Sequence, residues 1–299
     1  MNQSNQSLTA QSMPFSVAVN TPSMQRLIYN ALGDPERSRR FTASIVSAVS
    51  VNPALQSCDR NTVISGALLG ESLNLSPSPQ LGQYYLVPFK NSKKGCSDAQ
   101  FVLGYKGYLQ LAMRSGQYKN INVTVIKQGE YLGRDRETGE PRFSFVEDDD
   151  KWESLPTIGY MACFEYLNNF RKVLYWSKEK VMSHADRYSP SFSRKAYENI
   201  LAGKIPQSEM WRYSSFWYKD FDAMAKKTML RQLISKWGIM SIDLSTGFDA
   251  DGKTIAADDS GNLVPEEEPV RQDALPETIA QETQPSAQSE PQKIDLNAL

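Results

Sequence analysis

The sequence predicts an α+β fold, mostly antiparallel, with helices on both flanks of a run of short strands. Three observations predict it. Apolar residues recur at helical spacing between positions 36 and 75 and again between 178 and 237. The stretch between them breaks into short β-rich runs, and Asn168-Asn169 between two of those runs has the composition of a hairpin turn.

Glu36 to Val51 places Phe41, Ile45, Val46 and Val49 on one helical face and stops at Asn52-Pro53, because the residue before a proline disfavours helical backbone. Asn61 to Leu75 carries Val63, Ile64, Ala67, Leu68 and Leu73 as a second helix, closed by Ser76-Pro77-Ser78-Pro79. Strands are expected over Gln83 to Lys90, Ala99 to Tyr105, Ile121 to Lys127, Arg142 to Val146, Thr157 to Tyr166 and Arg171 to Ser177. A helix from about Tyr105 to Ser115 ends at Gly116. Ser177 caps a helix over Lys178 to Tyr188, and a long final helix runs from about Ser215 to Trp237, stopped by Gly238.

The 299 residues carry a formal net charge of −1, yet the charge is unevenly placed. From Gly247 to Leu299 there are three basic residues against twelve acidic ones, a net of −9, so Met1 to Thr246 carries +8. A basic body joined to an acidic tail points to nucleic acid or another anionic partner. Three domains follow. Residues 1–24 read as a disordered polar arm, and 25–245 as a folded basic body. Residues 246–299 read as a disordered acidic tail rich in Pro, Gln and Glu, open to a partner-docking role.

Cys58, Cys96 and Cys163 are odd in number and lack a CxxC pair, and His184 is the single histidine. A disulfide framework and a His/Cys zinc site are therefore not expected, and metal could enter only through carboxylates. The N-terminus has no basic residue before Arg26 and no apolar core of a signal peptide, and no run approaches a membrane span. A soluble, cytoplasmic protein with no membrane partner is expected.

Several motifs carry chemistry only if their surroundings allow it. Gly247 to Thr254 fits G-x-x-x-x-G-K-[ST], but a P-loop needs a buried strand before it and a helix after it, and Asp249 and Asp251 would put two negative charges in the anion cradle. A polar turn is the expectation. Asp249, Asp251 and Asp258 do not match a calcium loop, since Gly247 stands where the first Asp belongs. Glu147-Asp148-Asp149-Asp150-Lys151 has the carboxylate-plus-lysine composition of a Mg²⁺-dependent nuclease, against a solvated acidic loop. Cys163 or Ser183 with His184 lacks any nucleophile elbow.

What remains is a distributed interleaving of cations with aromatics, as sequence-tolerant binding of single strands requires. It includes Tyr105-Lys106, Arg114, Tyr118-Lys119, Lys172, Lys178 and Phe216-Trp217-Tyr218-Lys219. In the final helix Phe221, Met224, Ala225, Thr228, Met229 and Leu233 should face the core, and Asp222 and Lys226 form an i, i+4 pair. Lys227 and Arg231 project together above Asp220, either as a phosphate clamp or as an ion-pair ladder.

Four blocks then stand in a recognisable order: Ala67 to Leu75, Leu81 to Asn91, Ala99 to Gly116 with Gly104-Tyr105-Lys106-Gly107 inside it, and Tyr218 to Leu233. Together they resemble the RecT family of phage and prophage single-strand annealing proteins over about Arg26 to Ser241. The resemblance implies an ATP-independent recombinase, not an enzyme, that coats single-stranded DNA and pairs it with a complementary strand, with Mg²⁺ at most modulating annealing. It implies a small antiparallel sheet with a packed helix, flanked by N- and C-terminal helical lobes and assembling into rings or helical filaments. Implied partners are single-stranded DNA, the annealed duplex, further copies of the chain, a host single-strand-binding protein and a phage exonuclease, in a bacterial host. Implied DNA contacts are Tyr105, Lys106, Arg114, Lys226, Lys227 and Arg231, to which the interleaved pattern adds Lys119, Lys172 and Lys178. The readings weighed against it are a metal-dependent nuclease at Glu147 to Lys151 and a DNA scaffold that does not anneal.

Overall fold

Aspartates start the long N-terminal helices. Asp34 and Asp59 accept hydrogen bonds from the Arg37 and Asn61 amides, satisfying N–H groups that a helix end leaves open, and so set α3 (Pro35–Val51) and α4 (Arg60–Ser72). Before them lie α1 (Phe15–Ala18) and α2 (Pro22–Leu32). The structure is a computed structural model that describes residues 13–91, 94–257 and 262–266. Helix α4 is buried continuously from Thr62 to Gly70 because it lies between the other helices and a sheet. That sheet joins β1 (Tyr84–Asn91), β2 (Cys96–Leu103), β8 (Lys253–Ala257) and β9 (Leu263–Pro265) in that order, all antiparallel. Its core, with Ile45, Ile64, Leu68, Phe101 and Leu103, also takes Tyr108 and Leu111 of α5 (Tyr105–Arg114).

A second core lies under an antiparallel sheet of β3 (Tyr118–Lys127), β6 (Thr157–Tyr166) and β7 (Arg171–Ser177). The hairpin turn expected at Asn168-Asn169 joins β6 to β7, with Asn169 at φ +64°. A small hairpin, β4 (Tyr131–Arg134) with β5 (Pro141–Phe143), and the short helix α6 (Asp149–Ser154) interrupt this sheet's connections. Ser177 caps α7 (Lys178–Tyr188), which is followed by α8 (Arg194–Leu201), α9 (Phe216–Lys219), α10 (Phe221–Trp237) and α11 (Ile242–Ala250).

Helix α10 serves both cores. Phe221, Ala225, Met229 and Leu233 enter the core of the β3-β6-β7 sheet, while Leu230 and Ile234 enter the N-terminal one. Of the expected core positions on this helix, Met224 and Thr228 are only half-buried, and a second apolar face carries the difference.

The α+β, antiparallel expectation agrees with this architecture. Four details differ. The final helix does not run unbroken from Ser215: Asp220 leaves helical backbone (φ −148°, ψ 80°) and its carboxylate accepts from the Ala223 amide, starting α10 afresh. Within the arm expected over 1–24, residues 13–24 are folded, because Phe15, Ala18 and Val19 supply buried apolar surface. The boundary expected at 245 falls inside the fold, since α11, β8 and β9 continue it to Pro265. The tail beyond Glu266 lies outside the described residues. The fourth is the strand expected over Arg142 to Val146, which is shortened to β5. No helix among the described residues is long and apolar enough to cross a membrane.

Candidate nucleic-acid interface

The Gly104-Tyr105-Lys106-Gly107 block owes its glycines to packing. A Cβ on Gly104 would stand 2.2 Å from the Gly82 carbonyl oxygen, and one on Gly107 would stand 2.0 Å from that of Gln83. Only hydrogen fits there. The Gly104 amide donates to the Gln83 carbonyl at 2.7 Å, so the start of α5 is locked beneath residues 82–83. Tyr105 is consequently half-buried between the two cores, whereas Lys106 is exposed beside Gly82.

The Gly247 to Thr254 stretch is also a packing feature. It runs helix, turn, strand, the reverse of a P-loop, so the polar turn expected there is two elements of the fold. Gly247 sits against α5, where a Cβ would lie 3.0 Å from Leu111 Cδ1. Asp251 is buried, with its side chain 5% exposed. Its Oδ1 accepts from the Leu103 amide at 2.9 Å and from Lys227 Nζ at 3.2 Å, and its Oδ2 accepts from the Tyr108 hydroxyl at 2.7 Å, with Arg231 Nε at 3.8 Å. Burial alone would raise the Asp251 pKa, but Lys227 and Arg231, helped by the hydrogen bonds, hold it below the ordinary value. The two cations of the expected phosphate clamp are thus turned toward a carboxylate twenty or more residues away. Lys227 is 14% exposed and committed to it; Arg231, at 45%, retains an open side.

The other candidates divide. Arg114 stays exposed but donates to the Leu73 and Asn74 carbonyls at 2.8 Å each, closing the end of α4. Lys119 pairs with Glu165 at 2.5 Å and also reaches Asn169. Lys172 rests its ammonium 4.1 Å from the Trp237 ring centre, at the C-terminal end of α10. Lys178 lies 5.8 Å from the Phe221 ring centre, at the N-terminal end. Those two ends are roughly 24 Å apart at 1.5 Å per residue. The expected Asp222–Lys226 pair is absent, because Asp222 accepts from the Tyr160 hydroxyl at 2.6 Å instead. Of the candidate cations among the described residues, Lys106, Arg114, Lys172, Lys178, Lys219 and Lys226 have no carboxylate within ion-pair distance, and Lys106, Lys178, Lys219 and Lys226 are the ones near the N-terminal end of α10 and the start of α5.

Phe216 of the interleaved pattern joins them, with two residues that the sequence does not single out as contacts, Tyr85 and Arg40. Tyr85 of β1 touches Phe216 of α9, with ring centres 6.1 Å apart, and Phe216 is 57% exposed. Arg40 lines a groove of about 520 Å³ together with Leu81 and Gln83, the neighbours of Gly82. The aromatic-cation run at 216–219 is a sequence signal for Phe216; nothing local marks Tyr85 or Arg40, which the β1 register and α3 packing bring there.

The enzymatic alternatives find little support. Glu147 to Lys151 is exposed, Asp148 caps α6 through the Lys151 amide, and no group of three metal-binding side chains converges among the described residues. His184 packs between the Trp176 and Tyr188 rings at tilted angles, while Ser183 accepts from Arg194. Burial raises the Cys163 pKa, the opposite of an activated thiol.

A family model described as the RecT family matches residues 39–273. The chain belongs to the RecT family. Every candidate contact lies inside the matched region, and so do α11, β8 and β9. A relative named uncharacterized protein YqaK, of Bacillus subtilis (strain 168), is 35% identical over 272 residues, covering 89% of this chain and 84% of that protein. Protein RecT of Escherichia coli (strain K12) is 33% identical over 114 residues, 38% of this chain and 42% of RecT.

Proposed function

We propose that this RecT-family chain is an ATP-independent single-strand DNA annealing protein that coats DNA as an oligomer and pairs complementary strands. The observation that carries it is the set of carboxylate-free cations, Lys106, Lys178, Lys219 and Lys226, around the first two turns of α10 and the neighbouring start of α5. Such cations neutralise phosphates and lower the repulsion between two strands, while base pairing supplies the sequence specificity. Annealing makes and breaks no covalent bond, so nothing in it calls for a nucleotide or a catalytic side chain. Copies side by side would extend the track, and a host single-strand-binding protein and a phage exonuclease fit as partners that present and generate the single strand.

Fluorescently labelled complementary oligonucleotides, mixed with the full chain with or without ATP and with Mg²⁺ or EDTA, test the reading. Pairing accelerated equally in all arms is expected. Binding without faster pairing would leave a scaffold, and Mg²⁺-dependent strand loss would favour the nuclease.

A further inference from the structure

Phe216 is an unusual residue to leave in water. Its neighbour Trp217 is 5% exposed and packs between Phe192 and Phe221 at 5.4 and 5.3 Å, so the anchored Trp217 fixes α9 while Phe216 is directed outward. One side of the Phe216 ring is backed by Tyr85, at 36° between planes. The surroundings are cationic. Lys219 Nζ stands 5.9 Å from the Phe216 ring centre, and a methyl group placed on Gly82 would lie 3.2 Å from the Tyr85 hydroxyl and 3.6 Å from Lys106 Cδ, so these two side chains share a corner. An exposed flat ring, braced from behind and flanked by two cations without carboxylate partners, suits an unpaired base and its adjacent phosphates.

The two exposed tryptophans with a cation beside them lack that combination. Trp211 is 72% exposed, but the cation beside it, Arg212, is engaged by Glu209 at 3.5 Å. Trp237 already has Lys172 against its face at 4.1 Å, closer than Lys219 stands to Phe216. Leu81 and Gln83, on either side of Gly82, also line a neighbouring groove that holds Arg40 together with the Arg37–Glu71 pair.

We infer that Phe216, backed by Tyr85, stacks on a base of bound single-stranded DNA while Lys106 and Lys219 take the flanking phosphates. This rests on the annealing reading above and locates where a base is held. The stack sets the spacing of that nucleotide without reading its identity, because every base has a π-face.

The test uses the full chain and an oligonucleotide carrying 2-aminopurine. Phe216→Ala is expected to weaken single-strand affinity about 10-fold, the scale of one base stack, and to abolish the 2-aminopurine response while leaving the salt slope unchanged. Phe216→Trp restores both, and Lys219→Gln lowers the salt slope instead. Wild-type affinity and fluorescence in Phe216→Ala would overturn the inference while leaving annealing intact. So would a sedimentation change in the DNA-free variant with DNA affinity unaltered, which would make the ring a contact between copies. Failure of the unmodified chain to bind or pair strands would remove the underlying reading and this one with it.

Discussion

The same residue types do different work at the two places where α10 meets its neighbours. In the middle of the helix Lys227 and Arg231 face buried Asp251 and tie α11 and β8 to α5. Around its first two turns Lys178 and Lys226 face no carboxylate, and Lys219 and Lys106 adjoin them from α9 and α5. Lys226 and Lys227 are consecutive in the chain and both half-buried, yet about 100° apart around the helix, so Lys227 reaches Asp251 and Lys226 does not. A basic cluster in a sequence is therefore two populations: charges that neutralise the protein's own buried acid, and charges left over for a ligand.

The largest effect should come from removing the acid. Asp251→Ala leaves Lys227 poorly solvated without its counter-charge and deprives the Leu103 amide and Tyr108 hydroxyl of an acceptor. Breaking a buried pair on one side costs about 3–5 kcal/mol, readable as a lowered midpoint in urea denaturation. The same group sets a pH dependence. Because Asp251 is held below the ordinary carboxylate value, its contribution is fully present above about pH 4 and is lost as pH falls through the lower folded-state value. The stability gap between the native chain and Asp251→Ala should then hold from pH 7 down to about pH 4 and narrow below it. A gap independent of pH would mean that packing, not charge, holds the junction.

The unpartnered cations give the next effect, and on a different axis. Lys106→Gln with Lys226→Gln should leave stability within about 0.5 kcal/mol, as for surface changes. The slope of log affinity against log salt should fall by roughly 0.7 for each phosphate that is no longer neutralised. By contrast, Lys227→Gln should lower stability first and change the salt slope little. If the salt slope answered to Lys227 and not to Lys106 and Lys226, the two populations would have to be exchanged.

How much of this is legible in the sequence follows from the same division. Helical and strand periodicities locate α3, α4, α5, α7 and the two long strand pairs, since those elements each bury one consistent face or are bounded by caps and prolines. Composition places the start of the acidic tail at 246 because Asp249, Asp251 and Asp258 dominate there; burial of Asp251 against cations from α10 turns an acidic residue into part of the core. The Gly104 to Gly107 block stands out in the sequence, but its glycines mark a backbone approach to residues 82–83 and only Lys106 is left pointing outward. Phe216 can be suspected from its lysine at i+3. Tyr85 cannot, because its neighbour lies 131 positions along the chain.

Lys119 and Lys172 supply the smallest effect and the sharpest control. Both belong to the interleaved pattern, yet Lys119 is held by Glu165 with half of its side chain in solvent, and Lys172 lies on Trp237 at the far end of α10. An exposed ion pair contributes about 0–1 kcal/mol, and a cation on an exposed ring about 0.5–1 kcal/mol, so Lys119→Gln and Lys172→Gln should each shift the denaturation midpoint only slightly. Neither should move the salt slope, since Lys119 already has its counter-charge and Lys172 stands roughly 24 Å from the first residue of α10. A slope that dropped for both would extend the DNA track along the whole helix; a slope that held would confine it to the N-terminal end of α10, where Lys178, Lys219 and Lys226 lie.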